Sequence, residues 1–214
     1  MKRISTHAFD RDSCLRQVQA FEDLLKTKVN LKERDDILPF FKKSPDLSLM
    51  ALEYYPSFSP LHLLPGQPPN ALAHEYQLND QFRPDLVVGD YEARKYVLVE
   101  FEAAQKDSIF RQGGGKATTE WSPRYEHAFS QLVDWFHMLD GEEGGRGFET
   151  AFGGRDAQFQ GLIVIGRDQH LSPDDRSRLN WRSDHVRVDS HNISCVTFDE
   201  FAAAAHNRLR AYSV

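Results

Sequence analysis

Two apolar segments joined by a short polar loop carry three carboxylates at positions that a β-hairpin would bring together. Asp85 lies in the first segment, residues 84–88, and Glu100 lies near the end of the second, residues 96–101, with Glu102 just beyond it. Because side chains alternate between the two faces of a strand, Glu100 and Glu102 should project to one side, about 6 to 7 Å apart. A hairpin centred on the loop sets Asp85 opposite Glu100. The sequence therefore predicts three converging carboxylates.

Such a cluster has a physical cost that narrows its possible roles. Like charges a few ångströms apart either raise a pKa strongly or bind a cation. Hard oxygen ligands of this kind suit Mg²⁺ or Mn²⁺, so a metal-dependent nuclease site is one interpretation. The alternative is that Glu100 and Glu102 line the solvated face of an antiparallel strand, where polar and apolar residues normally alternate.

Composition restricts the class of protein. A chain of 214 residues suits one packed domain, and its two cysteines, Cys14 and Cys195, have neither metal-ligand spacing nor a disulfide pattern. A net charge of −6 argues against a protein that coats nucleic acid nonspecifically. The first ten residues contain no apolar run typical of a signal peptide, and no later run reaches membrane-spanning length. We therefore expect a cytoplasmic protein with no membrane partner.

Hydrophobic periodicity predicts an α/β fold, a mixed β-sheet flanked by helices with an N-terminal helical segment. Predicted helices cover about 12–28, 31–43, 123–139, 172–182 and 199–210, capped at Asp12 or Ser13, Ser122, Ser172 and Asp199. Predicted strands cover 72–78, 82–88, 96–102, 160–166 and 193–198, the first three forming an antiparallel meander. Residues 53–70, 105–121 and 141–157 are expected to be a connector and two loops. Gly113-Gly-Gly-Lys116 lacks the spacing of a phosphate-binding loop.

The helix predicted over 123–139 carries polar side chains at helical spacing. His127 and Gln131 are four residues apart and should face the same way, which could bring Gln131 to the carboxylates as a positioner of water or phosphate. The alternative is an ordinary solvated helix face. Trp135 is expected in the core or at an interface.

Several motifs in one order resemble the carboxy-terminal domain of the Shedu SduA anti-phage defence family. They are Phe82-Arg-Pro-Asp85, Leu98-Val-Glu-Phe-Glu102, Phe110, His127-Ala128, Gln131-Leu-Val-Asp-Trp135, Leu162-Ile-Val-Ile-Gly-Arg167 and Val196-Thr-Phe-Asp199. The resemblance covers roughly residues 30–210 and divides the chain into an N-terminal helical segment, 1–30, and a nuclease-like domain, 31–214. It implies a restriction-endonuclease-like fold of the PD-(D/E)xK type, defence against phage or foreign DNA, and a tendency to form homo-oligomers.

The resemblance also implies roles for individual residues. Asp85 matches the motif aspartate, Glu100 the metal-binding acidic residue and Gln131 the glutamine of the following helix, while Glu33 weakly matches a helical glutamate. Position 102 departs from the pattern, because the nuclease signature has lysine where this chain has Glu102.

A carboxylate cannot replace that lysine one for one, since lysine would polarise the attacking water and offset phosphate charge. Three outcomes are open. Glu102 is a further metal ligand, or Lys106 or Lys116 reaches in from the following loop, or the site is inactive and the fold serves as a nucleic-acid sensor.

The resulting hypothesis is a Mg²⁺- or Mn²⁺-dependent DNA endonuclease that hydrolyses phosphodiester bonds. Asp85, Glu100 and Glu102 would hold the ion and, with Gln131, form the catalytic set. The candidates for phosphate contact are Arg83, Arg111, Lys116, Arg124 and His127. The rival hypothesis is a catalytically inactive sensor or scaffold that binds nucleic acid or a protein through a surface around Trp135 and Phe136.

Overall fold

A mixed β-sheet runs through the centre of the protein, which a computed structural model describes over residues 4–55, 70–78, 82–115 and 118–211. Within this part of the chain the sheet has seven strands in the order β1-β2-β3-β4-β7-β9-β8, and β5 and β6 form a separate hairpin. The strands are β1 (Ser5–His7), β2 (Asn70–His74), β3 (Leu86–Asp90), β4 (Lys95–Phe101), β5 (Phe110–Gln112), β6 (Thr119–Trp121), β7 (Gln158–Val164), β8 (Arg187–Val188) and β9 (His191–Val196).

Helices cover both faces of the sheet, as the hydrophobic pattern predicts. The α-helices are α1 (Arg11–Thr27), α2 (Leu38–Lys42), α3 (Pro45–Leu49), α4 (Pro123–Glu142), α5 (Arg146–Phe152), α6 (Pro173–His185) and α7 (Phe198–Ala211). A π-helical turn, Glu33–Ile37, leads directly into α2, and a 3₁₀ turn, Met50–Tyr54, follows α3. The predicted α/β fold class is confirmed.

The register of the central hairpin is the one that the sequence predicts. Strands β3 and β4 are antiparallel, with Leu86 opposite Val99 and Asp90 opposite Lys95. Extending this register by one residue sets Asp85 opposite Glu100. Beyond β4 the pairing becomes parallel, since β4, β7 and β9 run in the same direction. The apolar run over 160–166 is therefore a central strand, buried on both faces as parallel strands usually are.

Two hydrophobic cores lie on opposite faces of the sheet and fix which way the carboxylates point. Val97, Val99 and Phe101 of β4 pack with α1, α2, α3 and α7. Tyr96 and Leu98 pack with α4, α5 and α6 on the other face. Because side chains alternate along a strand, position 100 belongs to the α4 face. Glu102, one residue past the strand, also points towards α4, since its carboxylate accepts a hydrogen bond from Arg124.

The aromatic residues of α4 serve this second core. Trp135 and Phe136 are each 1% exposed. The surface that the rival hypothesis places around them is therefore not available in the folded chain, and that part of the hypothesis is wrong. The large apolar area of these rings drives α4 onto the sheet instead.

Two regions expected to be loops contain regular structure. Residues 105–121 include the β5–β6 hairpin, in which Phe110 pairs with Trp121. Residues 141–157 include the last two residues of α4 and the whole of α5, which Phe148 and Phe152 anchor in the core. Glycine content predicted loops here, but burial of two aromatic rings offsets the low helix propensity of glycine. The connector predicted over 53–70 lies mainly outside the described residues.

Two predicted helix caps are also wrong. The cap of α1 is Asp10, whose carboxylate accepts the Ser13 N–H at 2.8 Å, not Asp12 or Ser13. At α7 the Thr197 hydroxyl accepts the Glu200 N–H at 3.1 Å, and Glu200 accepts the Thr197 N–H at 2.9 Å. This reciprocal pair is a capping box. Asp199 is engaged elsewhere, because it accepts hydrogen bonds from Arg167.

Replacing Thr197 by Ala is expected to lower the free energy of unfolding by about 1 kcal/mol, since it removes the cap of α7. The melting temperature should fall by roughly 2–4 °C for a chain of this size. Thr27→Ala is the control, because Thr27 is exposed at the last turn of α1 and caps no helix start. Equal melting temperatures for the two variants would contradict the capping role.

Candidate functional site

Asp85 occupies the position just before β3, where the chain enters the sheet. Its carboxylate accepts the backbone N–H of Phe101 at 3.0 Å, which ties it to the end of β4. Burial raises the pKa of Asp85 to about 7, and the negative charges of Glu33, Glu102 and Glu75 add to that rise against the hydrogen bond from Phe101. Asp85 is therefore a carboxyl group whose charge the surrounding fold does not neutralise.

Glu100 lies beside Asp85 on the neighbouring strand and is 6% exposed. Burial raises the pKa of Glu100 well above the ordinary range, and the negative charges of Asp85, Glu102 and Glu33 raise it further. The register of the hairpin sets position 85 opposite position 100, so the two carboxyl groups lie on the same face of adjacent strands. The structure thus brings Asp85 and Glu100 together, as the hairpin register predicts.

Glu33 reaches the same region from a different part of the chain. Leu31 pairs with Ala104, with N–H to carbonyl distances of 2.9 and 3.3 Å, and so holds the π-helical turn beside the end of β4. The Phe41 ring stacks on Phe101 at 4.2 Å between centroids and fixes α2 there. Burial raises the pKa of Glu33, and the charge of Glu102 raises it further.

These carboxylates open into a pocket of about 410 Å³ between β3, β4, α2 and α4. Its lining is mostly polar and carries charges of both signs. The lining residues are Glu33, Arg34, Leu38, Pro39, Lys42, Glu75, Arg83, Asp85, Glu100 and Gln131. The pocket therefore contains four of the residues that the sequence predicts for the site, namely Asp85, Glu100, Gln131 and Arg83, together with the weakly matched Glu33.

Gln131 contributes a polar atom that the fold leaves unsatisfied. Its side-chain oxygen Oε1 is buried and has no hydrogen-bond partner among the described residues. Buried polar atoms are nearly always paired, so an unpaired one in a pocket indicates a site that a ligand, ion or water completes. Gln131 lies in the middle of α4, which the second core packs against the sheet.

Glu102 has a different environment from the other two predicted metal ligands. It is 4% exposed, and its carboxylate oxygen Oε2 accepts a hydrogen bond from Arg124 Nη1 at 2.8 Å. Glu102 does not line the pocket that holds Asp85 and Glu100. The position that has lysine in the nuclease signature thus has a glutamate, and this glutamate forms an ion pair with Arg124.

The residues expected to contact phosphate are distributed unevenly. Arg83 lines the pocket, and His127 lies close enough to Glu33 to lower its pKa, as does Arg124. Arg111 lies on the β5–β6 hairpin and pairs with Glu120 at 3.7 Å. Lys106 is exposed near His170, outside the pocket, and Lys116 lies outside the described residues.

Sequence reasoning missed three charged residues of the pocket, namely Arg34, Lys42 and Glu75. Lys42 pairs with Glu75 at 2.7 Å, and Arg83 approaches the same carboxylate at 3.7 Å, while Arg34 completes the basic rim. Local sequence offers no signal for these residues, because charged side chains at helix ends and after strands are usually solvated. Glu75 has a left-handed backbone conformation, with φ of +49°, which is visible only in the fold.

A second group of potential metal ligands lies elsewhere in the structure. Atoms of Asp140, Asp189 and His191 lie within 4.8 Å of one another, and no other group of three among the described residues meets that distance. Asp85, Glu100 and Glu102 therefore do not form a closed three-ligand cage. The site offers Asp85 and Glu100 as a close pair, with Gln131 beside them.

The mixed sheet, flanked by helices on both faces and with carboxylates in a polar pocket beside its antiparallel strands, is consistent with a nuclease-like α/β fold. A comparison with protein families then identifies the lineage. The model described as "Shedu protein SduA, C-terminal" matches residues 30–202. The chain belongs to the Shedu SduA C-terminal family, and the resemblance seen in the sequence is confirmed. Membership implies a role in anti-phage defence.

No curated protein is significantly similar to the chain in sequence. Among the described residues, none of the helices combines the length and the apolar character needed to cross a lipid bilayer.

Proposed function

We propose that this protein is a metal-dependent DNA endonuclease that acts in anti-phage defence. One observation carries the proposal. The Asp85 and Glu100 carboxyl groups, set opposite each other by the hairpin register, line one pocket that also holds the unpaired Oε1 of Gln131. A fold gains nothing in stability from two adjacent buried acids, so their retention in one pocket favours a function for them.

The donor set fits a hard divalent cation. Two carboxylates and an amide oxygen are the ligand types that Mg²⁺ and Mn²⁺ prefer, and Mg²⁺ typically keeps several waters besides one or two carboxylates. Burial raises the pKa of Asp85 to about 7, and the neighbouring carboxylates raise it further, so a bound cation would favour the charged form of this ligand. Asp85 and Glu100 would hold the ion, with Gln131 Oε1 as a further oxygen ligand or as the acceptor from a bound water.

The proposed reaction is hydrolysis of a phosphodiester bond. A bound divalent ion supplies an acidified water and neutralises charge that develops on the phosphate. Gln131 would orient the attacking water, and the Glu33 carboxylate, at the rim of the same pocket, would accept its proton. Arg34 and Arg83 on the rim, and His127 on α4, would hold the phosphates that flank the scissile bond.

A second candidate function is a catalytically inactive sensor with the same fold. Two observations favour it, namely the carboxylate of Glu102 where the signature has lysine, and the absence of a closed three-ligand cage at Asp85, Glu100 and Glu102 among the described residues. Such a protein would bind nucleic acid or a partner through the rim of the pocket, and it would show no metal-dependent turnover.

Cleavage of plasmid and linear DNA in Mg²⁺, in Mn²⁺ and in EDTA distinguishes the two functions. We expect metal-dependent cleavage by the wild-type protein and its loss, by roughly 10³-fold or more, in Glu100→Gln and Asp85→Asn, since each removes an ionisable ligand. Both substitutions keep the volume of the side chain, which protects the fold.

Asp189→Asn is the matched control, because Asp189 belongs to the second group of potential ligands. This control should cleave like the wild type. Cleavage that survives in both Asp85→Asn and Glu100→Gln would contradict the proposed site, and a wild-type protein that binds DNA without cutting it in either metal would favour the sensor.

A further inference from the structure

We propose that Arg124, anchored by Glu102, supplies the positive charge that the signature lysine supplies in related nucleases. In this arrangement Arg124 contacts the phosphate at the cleavage site, and Glu102 is a positioning residue, not a metal ligand. The inference deepens the proposed nuclease function and rests on it. It also explains why a carboxylate is found at position 102.

The first support is the geometry of the ion pair. Arg124 Nη1 donates to Glu102 Oε2 at 2.8 Å, so a cationic group lies one hydrogen bond from the side chain at position 102. A lysine at that position would place its own ammonium in this neighbourhood. A positive charge is therefore present beside position 102, although it comes from α4 and not from β4.

The second support is the contrast in exposure across the pair. The side chain of Glu102 is 5% exposed, whereas that of Arg124 is 39% exposed. A buried carboxylate beside other acids needs a partner, since an uncompensated charge in a buried site is strongly destabilising. Guanidinium has five N–H donors, and within the described residues Arg124 uses one of them on the protein. Its remaining donors are available to a phosphate.

The third support is the position of Arg124 relative to the pocket. Its charge lowers the pKa of Glu33, which lines the pocket, so the guanidinium lies within electrostatic range of the rim. Arg124 and Gln131 are seven residues apart on α4, two turns along one face of the helix. The same face of α4 therefore carries Gln131, which lines the pocket, and Arg124, which bonds Glu102.

Lys42 is the competing source of positive charge that ends in an amine like the signature lysine, and it lines the same pocket as Arg34 and Arg83. Its ammonium pairs with Glu75 Oε2 at 2.7 Å, and Glu75 comes from the end of β2. Lys42 therefore compensates a different carboxylate. Arg124 is the cation that is bonded to the side chain at the signature position, and this favours it over Lys42.

The test uses three variants of the pair. Glu102→Gln keeps an acceptor for Arg124 and should retain cleavage within about threefold of the wild type. The double variant Glu102→Gln/Arg124→Ala removes the cation without leaving a buried unpaired carboxylate, and it should lose roughly 10²-fold in kcat. The double variant Glu102→Lys/Arg124→Ala restores the signature lysine and should regain most of that loss.

A binding measurement provides a readout that does not depend on cleavage. Fluorescence anisotropy of a short labelled duplex in Ca²⁺ should show weaker binding by Glu102→Gln/Arg124→Ala, with the slope of log affinity against log salt reduced by about 1. Arg94→Ala is the matched control, since Arg94 pairs with Asp156 at 2.8 Å and is 41% exposed, but lies at the opposite end of β4. It should change neither cleavage nor the salt slope.

Results that differ from these expectations contradict the inference in distinguishable ways. If Glu102→Gln is as inactive as Asp85→Asn, Glu102 is a metal ligand. If Glu102→Gln/Arg124→Ala cleaves normally while Lys42→Gln does not, Lys42 supplies the charge. If the wild type cuts no DNA, the proposed function fails by itself, and an unchanged salt slope in Ca²⁺ would then overturn the role of Arg124 as well.

Discussion

Mn²⁺ is expected to raise the melting temperature of the wild-type protein at pH 8 by roughly 5–10 °C, and Asp85→Asn is expected to remove that shift. An ion at a hundred times its dissociation constant stabilises the folded state by about 2.7 kcal/mol. For a chain of this size, 1 kcal/mol corresponds to about 2–4 °C. Differential scanning fluorimetry with and without the metal measures the effect.

The pH dependence of this shift follows from the raised pKa of Asp85. The folded-state value is about 7, whereas an unperturbed aspartate has a pKa of about 3.9. Between these values the folded protein binds a proton that the unfolded chain has released, so stability falls as the pH rises from about 4 to about 7. The metal competes with that proton, and its stabilising effect should therefore be larger at pH 8 than at pH 5.5.

The same reasoning predicts that metal-free Asp85→Asn is more stable than the metal-free wild type at pH 8. The substitution removes a buried charge that the fold leaves uncompensated, and functional sites commonly carry such a stability cost. Asp189→Asn tests the alternative location. A shift that persists in Asp85→Asn and disappears in Asp189→Asn would assign the ion to Asp140, Asp189 and His191 instead.

Trp135→Ala is expected to lower the free energy of unfolding by about 3–5 kcal/mol, the usual range for removing a buried aromatic side chain. Trp135 is 1% exposed in the core between α4 and the sheet, so its loss leaves a large cavity. The melting temperature should fall by roughly 6–20 °C. Chemical denaturation followed by circular dichroism measures the free energy directly.

Trp181→Ala is a control of the same residue type. Trp181 lies on α6 and is 59% exposed, so its removal should change the free energy of unfolding by less than about 0.5 kcal/mol. A loss of defence activity in Trp135→Ala would then reflect instability and not a lost interface. A small effect in Trp135→Ala, equal to that in Trp181→Ala, would contradict the packing described for α4.

The pairing of Asp85 with Glu100 is the part of the site that sequence reasoning could reach. It requires only that two strands be joined by a short loop, because the loop then fixes the register and alternation fixes the face. Gln131 was within reach for a similar reason, since a long amphipathic helix has one polar side and the family resemblance indicated which residue matters.

The ion pair of Glu102 with Arg124 could not be predicted in this way. It joins the end of β4 to the first turn of α4, and the direction of that helix depends on how Trp135 and Phe136 pack. The ion pair of Lys42 with Glu75 could not be predicted either, because it joins the end of α2 to the residue that follows β2. Contacts between distant segments are set by the packing of whole elements, which local pattern does not encode.

The sequence alone determined the family, the order of most strands and helices, and which acidic residues lie at the ends of the two central strands, because periodicity and turn length are local properties. Only the tertiary structure decided which of those acids are compensated. Glu102 has an arginine partner, whereas Asp85 and Glu100 have each other and a raised pKa. The physical reason is that burial and neighbouring charges determine the state of a carboxyl group, and both arise only when the chain folds.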